Sequence, residues 1–209
     1  NLSLSAGDVA RCIDEIGVGF MFAPAHHSAV RHVGPARVEL ATRTIFNLLG
    51  PMTNPASVKR QLLGVFAPNW VLTAAKVLQK LGSEKVWVVH GQGFDEVTIT
   101  GTTQVAALQN GQINTFEISP DDFGFDTRDE NSIAGGDAAE NAIALREVLD
   151  GKHSAYRDMV IMNAACSLVV ADQASDIHEG AALASKSIDN GEAASALENL
   201  VRVSNQGNV

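Results

Sequence analysis

Residues 61–90 read QLLGVFAPNWVLTAAKVLQKLGSEKVWVVH, and this stretch decides the fold class. Residues 61–66 form a short apolar run, residues 69–81 repeat their apolar side chains at helical spacing, and residues 85–90 are apolar again. Strand, helix and strand with short joins make a βαβ unit, which predicts two parallel strands and a right-handed crossover. Working downstream, residues 96–100, 102–108 and 113–118 alternate like strands and predict a meander, turning at Gly101 and at Asn110-Gly111. Beyond the loop at 120–136 the pattern becomes helical and alanine-rich, with segments near 137–149, 156–171, 177–190 and 192–203 separated by Gly151, Ser175 and Gly191. The expected class is α/β, a central largely parallel sheet flanked by helices.

Working upstream, Ser5-Ala6-Gly7-Asp8 reads as a capping box opening a helix with Val9, Cys12, Ile13 and Ile16 on one face. Residues 18–22 read as a short apolar strand. Residues 25–49 are helically spaced and carry His26, His27, Arg31, His32, Arg37 and Arg43, a dense cationic cluster for this chain. Gly50-Pro51-Met52-Thr53-Asn54-Pro55 follows, and so dense a breaker predicts the end of the helix and a hinge or binding loop.

The chain has 209 residues, 45% hydrophobic and 19% charged, which suits an ordinary globular protein and argues against disorder or a disulfide scaffold. The formal charge of -9 argues against nonspecific nucleic-acid binding, which needs a basic surface. It leaves room for an anionic substrate, because a metal or a few arginines reverse the field locally. Cys12 and Cys166 are far apart and form no CxxC pair, which suits a reducing compartment. No apolar run approaches the roughly 20 residues of a membrane span.

Gly91-Gln92-Gly93-Phe94-Asp95-Glu96 follows directly on the apolar run that ends at His90. The end of a strand is where open α/β sheets bind ligands. The dinucleotide fingerprint fails here, since Glu96 stands at the third glycine position and the next residues alternate instead of opening a helix. What remains is a glycine turn presenting two adjacent carboxylates toward a cleft, which suits a hard cation such as Mg²⁺ shared with a substrate phosphate. On spacing alone a solvated turn with ordinary surface acids is the favoured reading of the pair. His26-His27 lacks the i+3 or i+4 partner of zinc helices, because position 31 is Arg. Arg37, whose planar fork suits a carboxylate, and the neighbouring imidazoles would make an anion pocket beside the Gly-Pro loop. On composition alone the same arginines fit a solvated helix face. Cys166 and Asn163 lie in an apolar helical run and read as core and as a satisfied amide.

The run His26-His27-Ser28-Ala29-Val30-Arg31-His32-Val33, continued by residues 43–55, Gly93-Phe94-Asp95-Glu96 and Gly135-Gly136-Asp137-Ala138-Ala139-Glu140-Asn141-Ala142, resembles the anthranilate phosphoribosyltransferases, in the nucleoside phosphorylase/phosphoribosyltransferase superfamily. The resemblance covers essentially the whole chain. It implies transfer of 5-phosphoribose from phosphoribosyl pyrophosphate to the amine of anthranilate in tryptophan biosynthesis, with Mg²⁺ as cofactor, in a cytoplasmic homodimer that needs neither nucleic acid nor membrane. Carried over by motif, Arg37 would hold the anthranilate carboxylate, His27, Gly50 and Pro51 would line its tunnel, and Asp95 and Glu96 would bind the metal; no acid or base is assigned. It further implies that residues 1–24 begin the α/β domain, 25–50 belong to a small helical domain and hinge, and 51–209 continue the α/β domain. The Gly-Thr-Gly-Gly-Asp and Lys-His-Gly-Asn-Arg strings of the family do not occur in this sequence. Both belong upstream, so the chain is expected to be a C-terminal portion with the upstream segment absent, and inactive alone. Rivals are a pyrimidine nucleoside phosphorylase, which shares the fold but gives no reason for Arg37, and a noncatalytic nucleic-acid-binding relative, which the charge disfavours.

Overall fold

The computed structural model describes residues 1–27, 39, 42 and 44–206. The chain divides into two compact units, Asn1–Ser57 with Glu192–Val209, and Val58–Gly191. The helix-flanked α/β class expected from the sequence is present in the second, but with one parallel pairing and two antiparallel ones among the described residues its sheet is mixed, where a largely parallel one was expected.

In that unit the strands are β1 (Arg60–Gly64), β2 (Lys85–Gly91), β3 (Thr103–Gln109) and β4 (Gln112–Ile118), ordered β1-β2-β3-β4 in one sheet. β1 and β2 run parallel, with Leu62 opposite Trp87 and Gly64 opposite Val89. The 71–80 helix between them forms the expected crossover. β2–β3 and β3–β4 are antiparallel, and Asn110-Gly111, both at positive φ, makes the second turn of the meander. Every residue of β2 is buried, which requires cover on both faces. Two helices pack on it: the crossover helix Val71–Lys80 and the long helix Ala155–Val170. The long helix buries Met159, Ile161, Met162, Ala165, Cys166 and Val169, and the helix Ile177–Asp189 lies against it through Gly180, Ala181 and Ala184. Ala138–Leu149 begins with Asp137 as N-cap, accepting from the Ala139 and Glu140 backbones, as the Gly135-Gly136-Asp137 run predicts.

The first unit is helical in all its described elements. Ala6–Ile16 opens with the predicted capping box, Ser5 accepting from the Asp8 N–H while Asp8 accepts from the Ser5 N–H. It packs on the C-terminal helix Glu192–Ser204 around Leu4, Val9, Cys12 and Val203. Numbered in chain order, the described helices are α1 (Ala6–Ile16), α2 (Ala23–His26), α3 (Phe46–Met52), α4 (Val71–Lys80), α5 (Ala138–Leu149), α6 (Ala155–Val170), α7 (Ile177–Asp189) and α8 (Glu192–Ser204).

Three further sequence expectations are corrected. Residues 18–22 form no strand: Gly19 passes tightly against Val9 and Ile13 of α1, and Met21 packs on the core beside it, so the segment clings to a helix and has no ladder partner among the described residues. Gly50 and Pro51 do not stop a helix but lie in the last turn of α3. Pro51 removes only the bond to the Asn47 carbonyl. Thr53 closes the turn, its N–H donating to the Leu49 carbonyl (3.0 Å) and its hydroxyl to the same oxygen (2.8 Å). Residues 96–100 are loop, for reasons that belong to the site below. Of the helical stretch expected at 25–49, most lies outside the described residues. No helix among the described residues is long and apolar enough to cross a membrane.

Lys85, at the start of β2, is buried, and it is satisfied at the far end of α6. Its Nζ donates to the Val169 carbonyl and to the Asp172 carboxylate, both at 2.6 Å. Arg60 donates to the same carboxylate and to the Val170 carbonyl. The two cations hold Asp172 below the usual carboxylate range, Lys85 contributing first. They also occupy helix C-terminal carbonyls, where positive charge is favoured. Lys85→Met should therefore lower the unfolding free energy by about 1–3 kcal/mol, the cost of stranding a buried acceptor. Arg60→Met should cost less, because its side chain is 42% exposed. Urea titrations of the two variants check the order; an equal loss would mean that packing around Lys85 counts for little.

Candidate functional site

The turn that follows β2 is built from its backbone outward. Gly91 and Phe94 exchange hydrogen bonds, Gly91 N–H to Phe94 carbonyl at 3.0 Å and Phe94 N–H to Gly91 carbonyl at 2.9 Å. Between them Gln92 (φ 43°) and Gly93 (φ 99°) both take positive φ, the signature of a type I′ turn. The chain then passes directly over the end of β1. A Cβ at Gly64 would overlap the Asp95 carbonyl, so only glycine fits there. Asp95 and Glu96 thus emerge, solvent-exposed, at the C-terminal ends of two adjacent parallel strands, the edge at which α/β sheets bind ligands.

Two side chains from outside the turn hold it. His90, buried at the end of β2, presents Nδ1 to the Val65 carbonyl at 2.8 Å, and its Nε2 accepts from the Gly93 N–H at 3.3 Å. Since a carbonyl only accepts, these two contacts fix the Nδ1–H tautomer. Asn163 of α6 holds the other end: its Oδ1 accepts from the Val97 N–H (3.0 Å), and its Nδ2 donates to the Val97 carbonyl (2.7 Å) and to the Met159 carbonyl (3.0 Å). Next, the Thr98 N–H donates to Thr103 Oγ1 (3.1 Å), the Thr100 N–H to Thr98 Oγ1 (3.1 Å), and the two hydroxyls Thr98 and Thr100 meet at 2.8 Å. With the Val97 and Thr98 backbones engaged by side chains, no β-ladder forms, and Val97, Thr98 and Ile99 are all fully buried without alternation. This is why the predicted strand at 96–100 is absent.

Among the described residues neither the Asp95 nor the Glu96 carboxylate has a hydrogen-bond or ion-pair partner. Protein packed around the Glu96 carboxyl raises its pKa above 4.5, and the charge of Asp95 adds to the effect. The described residues contain no group of three or more His, Cys, Asp or Glu placed to hold a metal. A pair of free carboxylate side chains, each keeping its lone pairs for an outside ligand, fits a hard cation that completes its shell with water and substrate oxygens, as Mg²⁺ does.

The substrate-binding residues singled out from the sequence lie in the first unit or outside the described residues. His27 is the C-cap residue just after α2, and Gly50 and Pro51 are in α3. Arg37, with Arg31, His32 and Arg43, lies outside the described residues. Cys166 is fully buried, and burial pushes its thiol up to about 12, which suits a core residue and no nucleophile. In the sequence His90 is only the last residue of a strand, and Asn163 reads as a satisfied amide. The one signal for either is position, a polar residue at a strand end and another in an apolar helix.

Residues 1–194 match the family model described as glycosyl transferase family, a/b domain. Among curated proteins, the chain is 59% identical over 200 residues to the anthranilate phosphoribosyltransferase of Agrobacterium fabrum, covering 96% of this chain and 58% of that protein. Among solved structures, the anthranilate phosphoribosyltransferase of Thermus thermophilus superposes with a TM-score of 0.89 at 36% identity, over 98% of this chain and 61% of that one. The Saccharomyces cerevisiae enzyme in complex with PRPP and Mg gives 0.88 at 29% identity, over 97% and 59%. The chain therefore spans about three fifths of the length of the relatives it matches.

The raised Glu96 pKa sets the sign of a stability test. The folded state binds the Glu96 proton more tightly than the unfolded chain does, so this group's contribution falls as pH rises from the ordinary carboxylate range through the folded value. At neutral pH without divalent ions, Glu96→Gln should leave the unfolding free energy unchanged or raise it by up to about 0.5 kcal/mol, since water screens an exposed carboxyl. The difference should vanish below the unfolded pKa. Chemical denaturation between about pH 3.5 and 8, spanning the carboxylate range, measures it. A clear loss of stability would reveal a structural partner for Glu96.

Proposed function

The chain belongs to the glycosyl transferase family that shares this a/b domain, and from that premise we propose that the complete protein is an anthranilate phosphoribosyltransferase. It would transfer 5-phosphoribose from phosphoribosyl pyrophosphate to the amine of anthranilate, releasing pyrophosphate in a step of tryptophan biosynthesis. The observation that carries the reading is the exposed Asp95–Glu96 pair, without a side-chain partner among the described residues, on a pinned turn over β1 and β2, in a chain so similar to a protein of that name. The yeast relative of the same name was solved in complex with PRPP and Mg, which supports the same substrate and cation here.

On this reading each group has a defined task. Loss of pyrophosphate leaves oxocarbenium character on the ribose, so rate depends on stabilising the leaving group and aligning the amine. Asp95 and Glu96 would hold Mg²⁺, which when bound neutralises charge developing on the pyrophosphate oxygens. Arg37 would grip the anthranilate carboxylate through two parallel N–H donors and so orient the amine. His27, Gly50 and Pro51 would line the passage by which anthranilate arrives. The aromatic amine is already neutral near pH 7, and the reaction as read here needs no assigned base. The domain assignment of 1–24, 25–50 and 51–209, the homodimer and the cytoplasmic location are part of the same proposal. So is the dependence of a complete phosphoribosyl cradle on the glycine-rich and Lys-His-Gly-Asn-Arg motifs that the family carries.

Steady-state kinetics of the complete protein test the assignments. Arg37→Ala should weaken anthranilate more than phosphoribosyl pyrophosphate, by about 1.5–3 kcal/mol for a lost charge-assisted bond, and Arg37→Lys should restore only part of it. Asp95→Asn with Glu96→Gln should raise the Mg²⁺ concentration needed for half-maximal rate while anthranilate KM stays put. Equal losses for both substrates in Arg37→Ala, or an unchanged metal requirement in the double variant, would count against the respective role.

A further inference from the structure

We propose that Asn163 and His90 are positioning residues for the metal-binding carboxylates, acting only through the backbone of the turn that carries Asp95 and Glu96. The inference rests on the reading of that pair as the cation site. The two attachment points are Gly93 and Val97, and the acids lie between them. At the first, the His90 imidazole ties the Gly93 N–H to the Val65 carbonyl just beyond β1. At the second, the Asn163 amide closes on both the N–H and the carbonyl of Val97, the residue immediately after Glu96. Gly64 provides the floor between them, its missing side chain letting the Asp95 backbone rest on β1.

Side-chain bonds to the carboxylates would be the usual way to orient metal ligands, and among the described residues there are none. Backbone attachment achieves the orientation differently. It restricts the φ and ψ of Asp95 and Glu96 without using any of the four carboxylate oxygens, and it holds two like charges side by side with no cation between them among the described residues. Neither Asn163 nor His90 reaches substrate or metal in this account. Their removal should therefore act on cation affinity and spare the anthranilate side.

The test uses the complete protein and Mn²⁺ as the probe, with free Mn²⁺ read by electron paramagnetic resonance in the presence of phosphoribosyl pyrophosphate, beside anthranilate KM. Asp95→Asn with Glu96→Gln is the reference for loss of the ligands. Asn163→Leu should raise the Mn²⁺ dissociation constant about 10–100-fold, the range for removing an outer partner of a metal ligand. Anthranilate KM should move by less than about twofold. Should Asn163→Leu fail to fold, His90→Asn carries the test: it keeps the donor to Val65 and deletes the acceptor for Gly93. It should weaken Mn²⁺ about tenfold, and His90→Gln, which returns an acceptor near the Nε2 position, should recover most of the loss. A purely structural role predicts lower thermal stability with Mn²⁺ affinity intact, and that result overturns the proposal. If the double carboxylate variant binds Mn²⁺ normally, the cation site itself has been misread and the inference falls with it. If the double variant loses Mn²⁺ while the Asn163 and His90 variants keep it, only the positioning role fails.

Discussion

A strand buried along its whole length accepts a polar side chain only where that group finds partners, because an unsatisfied donor in the interior costs more than most single contacts return. β2 meets this constraint at both ends. Lys85 at its start and His90 near its finish are its buried polar side chains, and each is committed to groups on neighbouring elements. Lys85 joins β2 to the C-terminal end of α6, and His90 joins β2 to the chain leaving β1 and to the glycine turn. Between them Val86, Trp87, Val88 and Val89 supply the apolar layer on which α4 and α6 settle. The position of the candidate site follows, since the turn starts where the ladder stops.

α6 takes part at both ends of that strand. Its C-terminal carbonyls, at Val169 and Val170, receive Lys85 and Arg60. Two turns back along the helix, Asn163 receives Val97. One helix is thus referenced to the sheet by cations at its end and to the turn by an amide at its middle. The buried face between these points, Met162, Ala165 and Cys166, leaves little freedom for the helix to slide without straining both. The geometry of the acid pair is coupled in this way to core packing some distance off.

Much of this is legible in residues 61–90. Apolar runs at strand length, separated by one helix-length periodic segment, admit few arrangements, and the parallel pairing of β1 with β2 is the one they predict. Asn110-Gly111 marks its turn, and Ser5 and Asp137 their caps, because those residues act on backbone within three positions of themselves. What stays hidden depends on groups distant in sequence. Residues 96–100 alternate like a strand, yet Asn163, 66 residues from Val97, takes the backbone bonds that a neighbouring strand would have used. Residues 18–22 have strand composition and, among the described residues, no strand beside them. Pro51 looks like a terminator, but a helix that ends one residue later, at Met52, loses only one bond to it. Of the site, the Asp95–Glu96 pair and its place after an apolar strand are readable. The roles of His90 and Asn163 are not, because nothing local distinguishes a tethering amide from a merely satisfied one.

The two ends of β2 carry acids on loops, and the protein treats them oppositely. Asp172, near the start of the strand, is drawn into Lys85 and Arg60, which pull its pKa down and use its charge to finish a helix. Asp95 and Glu96, beyond the finish, receive no cation among the described residues, and Glu96 is pushed up by its surroundings and its neighbour. A carboxylate whose charge is already neutralised has little left for a ligand; one whose charge is uncompensated gains most when a cation arrives. In a chain with a formal charge of -9, many acids are available for either use, so composition alone does not separate them. The separation comes from how each is held. Where the side chain is gripped, the acid serves the fold, and where only the backbone is gripped, the acid is left to something the fold does not supply.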